Sequence, residues 1–227
     1  MRARRPLVVA SLPVRTTKDL DTVNDIKGAD FVELRLDYME SPTLLDPEIL
    51  IKYRSKIIVT IREVSEGGIR AVDASLKATY LRKLYDMGLM YDVEASYLQK
   101  YDIPYEEKIV SVHYIDRIPS KEETIKIISK YVDKAYSVKI AVKAYRGYKE
   151  LLSYLLDTGY ENISVMPIGV DPIERLAYSL LGSKLVYGYV YEPTAPGQLH
   201  YKALIIFNSI VDLLYSLHHD RLSPDGY

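Results

Sequence analysis

The sequence predicts an α/β protein, a single (β/α)8 TIM barrel covering residues 1–227. Three observations predict it. Eight short apolar, β-branched runs recur about every 25 residues, helical patterns separate them, and no Pro/Gly/Ser-rich linker or composition break divides the chain. The 227 residues suit one such barrel.

The strand candidates are 7–12, 31–36, 56–61, 90–95, 108–114, 137–144, 162–168 and 185–191. Most are nearly continuous in apolar residues, as strands buried on both faces should be. The helix candidate 73–88 carries Leu76, Tyr80 and Leu84 at fourfold spacing and stops at Gly88. The segment 121–134 repeats Ile125, Ile128 and Val132, and 148–157 ends before Gly159. Pro172 opens 171–181 and Gly182 follows it, the expected helix asymmetry. The last helix repeats Leu199, Ala203, Ile206, Ile210, Leu214 and Leu217. Helical patterns are weaker around 17–26, 47–54 and 96–101. An open doubly wound sheet would call for a Gly-rich phosphate loop after the first strand, and Ser11-Leu12-Pro13-Val14-Arg15 is not one. The tail 221–227 is expected to fray.

A net charge of −1 gives no support for a nucleic-acid partner. The absence of cysteine excludes disulfides, thiolate metal sites and Cys nucleophiles. No run approaches the ~18 apolar residues of a membrane span, and the run 7–12 lacks a signal-peptide cleavage pattern. These features describe a cytoplasmic protein with no membrane association. Few Asn and Gln beside many charges suggest a thermophilic source, with genome composition as an equal alternative.

Polar residues inside otherwise buried strands are the informative ones. Side chains at i and i+2 share a face. That groups Glu33, Arg35 and Asp37; Thr60 and Arg62; Asp92 and Glu94; Ser111 and His113; Lys139, Ala141 and Lys143. Several lie toward the C-terminal strand ends, where barrels of this type hold their active sites. The bland reading is a structural network of paired charges filling the barrel. Taken together the residue types favour chemistry. A buried lysine amine loses its preference for the charged form, and a neutral amine can attack a ketone to form an iminium, an electron sink. His113 can take and return a proton. Glu94, on the adjacent strand, could hold one imidazole nitrogen. Arginines recognise carboxylates in bidentate fashion. The constellation reads as imine-assisted proton abstraction beside a carbonyl on an anionic substrate.

Seven segments then resemble one family in collinear order: 31–37 (FVELRLD), 60–62 with 66–68 (TIR, EGG), 92–94 (DVE), 111–114 (SVHY), 138–142 (VKIAV), 175–177 (RLA) and 194–198 (TAPGQ). Together they are similar to type I 3-dehydroquinate dehydratases. The resemblance implies that Lys139 forms a Schiff base with the ring ketone of 3-dehydroquinate. It implies that His113 removes a proton from the neighbouring carbon and helps the hydroxyl leave, with Glu94 orienting His113. Arg175 and Gln198 would bind the carboxylate, with Thr194 nearby, and Glu33, Arg35 and Arg62 would hold ring hydroxyls. The product would be 3-dehydroshikimate, in the shikimate pathway, made without metal or organic cofactor, and the family suggests a homodimer. The segment 168–172 departs from the family pattern, Thr194 stands where Ser is common, and Lys143 is a second amine on the face of Lys139. Ser11 could touch substrate, though a turn role competes. The tyrosines 187, 189 and 191 are read as packing. His200, His218 and His219 show no convincing metal spacing.

Two rival readings remain. A Schiff-base aldolase would share the lysine but take phosphorylated sugars. A non-catalytic barrel would bind a small acid.

Overall fold

The computed structural model describes residues 5–219, with side chains to residue 217. The tail 221–227 and the side chains of His218 and His219 lie outside the described part.

Eight strands form one sheet: β1 (Leu7–Pro13), β2 (Phe31–Arg35), β3 (Ile57–Thr60), β4 (Tyr91–Glu94), β5 (Ile109–Tyr114), β6 (Ser137–Lys143), β7 (Ile163–Ile168) and β8 (Leu185–Tyr189). Every paired neighbour is parallel, in the order β7-β6-β5-β4-β3-β2-β1-β8. All eight buried runs therefore became strands, the first extended by one residue and the others trimmed by up to two residues at an end.

The barrel is nearly closed, and the seam between β7 and β8 lacks a regular ladder. Side-chain hydroxyls bridge it: Val165 N–H donates to Ser183 Oγ at 3.0 Å and Leu185 N–H to Ser164 Oγ at 3.1 Å. One backbone bond, Lys184 N–H to Ile163 O at 2.9 Å, marks its start. Val165 turns its N–H toward this seam, and Pro167, two residues on, faces the same way with no N–H to give. A proline inside a parallel strand is tolerated at such an edge.

The helices are α1 (Ala74–Asp86), α2 (Ala95–Leu98), α3 (Lys121–Tyr131), α4 (Tyr148–Leu156), α5 (Pro172–Leu180) and α6 (Tyr201–His219). Asp73, Ser120 and Asp171 cap α1, α3 and α5 by accepting from backbone N–H groups. The weak patterns near the start are 3-10 turns, Thr17–Asn24 and Pro47–Tyr53, rather than α-helices. The first is rich in Thr, Asp and Asn, whose side chains compete for backbone hydrogen bonds. The third weak segment is the four-residue α2. Among the described residues no helix is long and apolar enough to cross a membrane.

The core has two layers. Residues such as Leu34, Val59, Val93, Val110 and Ile140 point outward and pack under the helices. Inside the barrel, Val9, Ile58, Ile109, Leu185 and Tyr187 form a separate apolar cluster. Polar side chains sit toward the C-terminal ends of the strands, and an apolar floor supports them.

Candidate active site

A cavity of about 140 Å³ opens at that end. Its lining includes Glu33, Arg35, Arg62, Glu66, His113, Lys139, Arg175, Tyr187, Thr194 and Gln198. The structure thus brings together eight of the ten sequence-predicted residues, with Ser11 and Glu94 just behind the wall.

Lys139 and His113, the two residues expected to carry the chemistry, stand on adjacent strands. Lys139 Nζ on β6 donates to Asp92 Oδ2 at 2.5 Å and is almost fully buried. Burial opposes the charge of Asp92, but the cations of Arg62 and Lys139 outweigh it and hold the carboxyl well below the ordinary carboxylate range. Ser111 Oγ donates to its other oxygen at 2.5 Å. Arg62 binds Asp92 at 2.9 Å and Glu94 at 2.8 Å; burial opposes its charge, but these anions outweigh burial and raise its affinity for the proton.

Glu94 does not orient His113 here. Its oxygens accept from Arg62, from the backbone N–H of Glu63 at 3.0 Å and from Lys77 Nζ at 2.8 Å. With three donors on it, the carboxylate is turned away from the imidazole. The partner of His113 is Glu66: its Oε2 lies 3.0 Å from Nδ1 and accepts from the His113 backbone N–H at 2.9 Å. Ser96 Oγ holds the second oxygen at 2.7 Å. This fixes Nδ1 and leaves Nε2 as the free nitrogen. Burial, then the nearby charges of Arg62 and Lys139, push the His113 pKa well down, so the ring is held neutral. Burial and the charge of Glu94 push Glu66 up to about 7, against the lowering effect of Arg62. Gly68 makes the turn possible: a Cβ there would lie 2.0 Å from the Arg62 carbonyl oxygen.

Glu33 is held by Ser11 Oγ at 2.6 Å and Thr60 Oγ1 at 3.0 Å. Ser11 therefore supports Glu33 from β1. Arg35 makes a bidentate pair with Asp37, both bonds at 2.8 Å.

The far wall differs. Arg175, on α5, donates to the Pro196 carbonyl at 3.2 Å and has no carboxylate partner among the described residues. Burial alone lowers its pKa to about 10. Gln198 Oε1 accepts from Thr194 N–H at 2.7 Å, Thr194 Oγ1 at 3.1 Å and Ala195 N–H at 3.1 Å. Its Nε2 is left as a donor to the cavity. The segment 168–172, which departs from the family pattern, packs against this loop, with Gly169 N–H on the Pro196 carbonyl at 3.2 Å. Gly197 has φ +79°, and a Cβ there would sit 2.5 Å from Val170 O, so glycine is required.

Lys143 is exposed at the end of β6 and does not line the cavity. The residues that sequence reasoning left without a role are Glu66, Asp92, Lys77 and Tyr187. Asp92 was signalled by its strand face. Glu66 lies on a 3-10 turn, Val64–Glu66, where face alternation says nothing.

Comparison with known proteins follows the same line. Residues 8–152 match the profile of type I 3-dehydroquinase. The chain is 50% identical over 217 residues to a 3-dehydroquinate dehydratase of Saccharolobus solfataricus, covering 93% of this chain and 98% of that one. It is 46% identical to the enzyme of that name from Sulfolobus acidocaldarius, covering 87% and 90%. Both sources are thermophiles. In fold it is similar to the type I 3-dehydroquinate dehydratase of Clostridium difficile, at 24% identity with a TM-score of 0.72 over 93% of each chain. The seven collinear motifs, the eight-stranded barrel and these matches agree, and the chain belongs to the type I 3-dehydroquinase family.

Proposed function

We propose that this chain is a hydro-lyase that dehydrates 3-dehydroquinate to 3-dehydroshikimate through a Schiff base on Lys139. The observation that carries the reading is the buried amine of Lys139 and the neutral imidazole of His113 facing one cavity whose opposite wall holds an unpaired guanidinium, Arg175. An amine nucleophile, a base and an anion site in one pocket suit a cyclic keto-acid.

Lys139 Nζ attacks the ring ketone, and loss of water gives an iminium beside Asp92. His113 Nε2 removes a proton from the adjacent carbon, and the electron pair flows into the C=N bond to give an enamine. The enamine pushes out the hydroxyl on the next carbon, which leaves as water with the proton held by His113. Water then hydrolyses the product iminium and frees Lys139. Glu66 keeps Nδ1 of His113 occupied throughout. Arg175 and Gln198 Nε2 take the substrate carboxylate, with Thr194 fixing the glutamine. Glu33, Arg35 and Arg62 face the ring hydroxyls. Each step uses side chains alone.

The aldolase alternative needs free backbone N–H groups for a phosphate. In the loop after β8 the N–H groups of Thr194 and Ala195 are spent on Gln198. The test is borohydride trapping with 3-dehydroquinate, read by mass spectrometry, beside the absorbance of dehydroshikimate. A covalent adduct at Lys139 with formation of dehydroshikimate supports the reading, and absence of either overturns it.

The enzyme works in the cytoplasm on a free small molecule, and we propose that two copies pair through α6. That helix buries Tyr201, Leu204 and Asn208 against the barrel, yet exposes Ile206, Ile210, Leu213 and Leu217 on another face. Their spacing of four, three and four is a coiled-coil seam, and an antiparallel second copy centred midway between Ile210 and Leu213 would match it with itself. Ile210→Glu should convert a dimer seen by sedimentation into a monomer; a wild-type monomer at micromolar concentration would refute the pairing.

A further inference from the structure

Tyr187 lies on β8, whose outward neighbour Gly188 lets the start of α6 press against the strand. A Cβ at Gly188 would come within 2.7 Å of Tyr201 Cα. Tyr187 itself points into the barrel and is paired in register with Val9. Its ring lies beneath the catalytic amine, with Lys139 Nζ 4.6 Å from the ring centroid. Both residues are 4% exposed. The Tyr187 hydroxyl is buried with no hydrogen-bond partner among the described residues, so the ring, not the oxygen, makes the contact.

The chemistry of the nitrogen gives the ring a task. An ammonium has three N–H donors and can spread its charge over hydrogen bonds. A protonated Schiff base keeps one N–H, and Asp92 Oδ2, 2.5 Å from Nζ in the free enzyme, is placed to accept it. The rest of the positive charge is shared with carbon, which donates no strong hydrogen bond. A π face attracts such charge without needing a donor, and does so most strongly where water is excluded.

We propose that the ring face of Tyr187 is a second stabiliser of the Lys139 iminium, beside Asp92, and so helps set how much covalent intermediate accumulates. This inference rests on the Schiff-base reading above. A buried cation–ring contact is worth about 2–30-fold in an equilibrium.

The test replaces Tyr187 with phenylalanine and then with 4-fluoro-, 3,5-difluoro- and 3,4,5-trifluorophenylalanine. Fluorination drains the ring face while barely changing its shape. Two quantities are read: the fraction trapped by borohydride at a fixed concentration of dehydroshikimate, and kcat with KM for dehydroquinate. Melting temperature is followed in each variant. Y187F should lie within about twofold of wild type, since the hydroxyl makes no bond. The trapped-adduct equilibrium should then fall stepwise, by about tenfold across the series, with the melting temperature flat. A merely structural ring would give a flat adduct series, and that result overturns the proposal. So does a Y187F loss as large as that of the trifluoro variant, which would transfer the effect to the hydroxyl. If wild type forms no adduct on Lys139, the Schiff-base reading falls first and takes this inference with it. An adduct with a flat series rejects the inference alone.

Discussion

The two sides of the cavity are built on opposite principles. On the β2–β5 side the buried polar groups facing the cavity have side-chain partners: Arg35 pairs with Asp37, Arg62 with Asp92 and Glu94, Lys77 with Glu94 and Glu63, Glu33 accepts from Ser11 and Thr60, and the neutral His113 ring is hydrogen-bonded to Glu66. On the β6–β8 side Arg175 is buried with only a backbone carbonyl, and the seam beside it is stitched by serine hydroxyls. A paired network holds its shape in the empty enzyme, whereas an unpaired cation is complete only with an anion. On the proposed reading the first side is preorganised for chemistry and the second for capture.

The sharpest way to break this comparison is to remove one residue from the chemistry at a time. Lys139→Ala removes the proposed Schiff-base nitrogen, so no adduct should be trapped and turnover should vanish. His113→Ala leaves the amine able to attack. Substrate should still be captured, while turnover drops by at least ~10²–10⁴. If Lys139→Ala still gives an adduct by mass spectrometry, the nucleophile is another lysine.

Next come two arginines that should fail in opposite ways. Arg62→Met leaves Asp92 and Glu94 buried without their shared cation, and breaking a buried pair costs roughly 3–5 kcal/mol of stability. Arg175→Met removes a cation that has no partner to orphan. Its unfolding midpoint in urea should hold or rise, while KM increases by orders of magnitude, because the substrate carboxylate loses a contact worth roughly 2–5 kcal/mol. Equal destabilisation by both variants would erase the distinction between the two sides.

The contrast also explains what could be read from the chain. On β2 to β6, alternation exposed Glu33, Arg35, Arg62, Asp92, Glu94, Ser111, His113 and Lys139, because a polar residue in a strand buried on both faces has few other reasons to be there. Arg175, Thr194 and Gln198 lie on a helix and a loop, where no such periodicity exists, and only the family resemblance pointed to them. Glu66 shows the limit most clearly. Strand adjacency favoured Glu94 as the partner of His113, but Lys77 on α1 holds Glu94 instead, and its helical position gave no hint that it reaches into the barrel mouth. The imperfect seam did leave a mark, Pro167 inside an otherwise strand-like run.

A smaller effect should come from pH, through Glu66. Its pKa is raised to about 7 from the ordinary 4.5. The contribution to stability is then fully present below pH 4.5 and is lost as pH rises through about 7, by up to roughly 3 kcal/mol. Activity runs the other way, since the ionised carboxylate is the better acceptor for His113 Nδ1–H. The lowered pKa of His113 gives the reverse stability slope below 6.5, so a variant is needed to separate them. Glu66→Gln should remove the limb near pH 7 from the kcat profile and unmask the His113 slope, so that the thermal midpoint rises with pH up to about 6.5 and is level above it. A limb near 7 that survives in Glu66→Gln would assign it to another group.

The smallest effect is expected at Lys143, and it tests whether the paired side is selective for one amine. Lys143 lies four residues after Lys139 on the same strand, so alternation gives both the same face. The barrel resolves them by depth. Lys139 is level with Ser111 and Ser164 inside the sheet, with Asp92 at 2.5 Å and the Tyr187 ring beneath it. Lys143 is the last residue of β6, exposed beyond the rim, with the ring of Tyr145 at 5.4 Å and no carboxylate bound to its amine among the described residues. It does not line the cavity, so on the proposed mechanism a substrate bound there should meet the deeper nitrogen. Lys143→Ala should leave kcat, KM and the trapped-adduct yield within about twofold of wild type, the range of surface substitutions worth less than ~0.5 kcal/mol. A tenfold loss of adduct in Lys143→Ala, with Lys139 intact, would mean that the rim amine takes part in capture, and that the two lysines share the work the fold otherwise assigns to one.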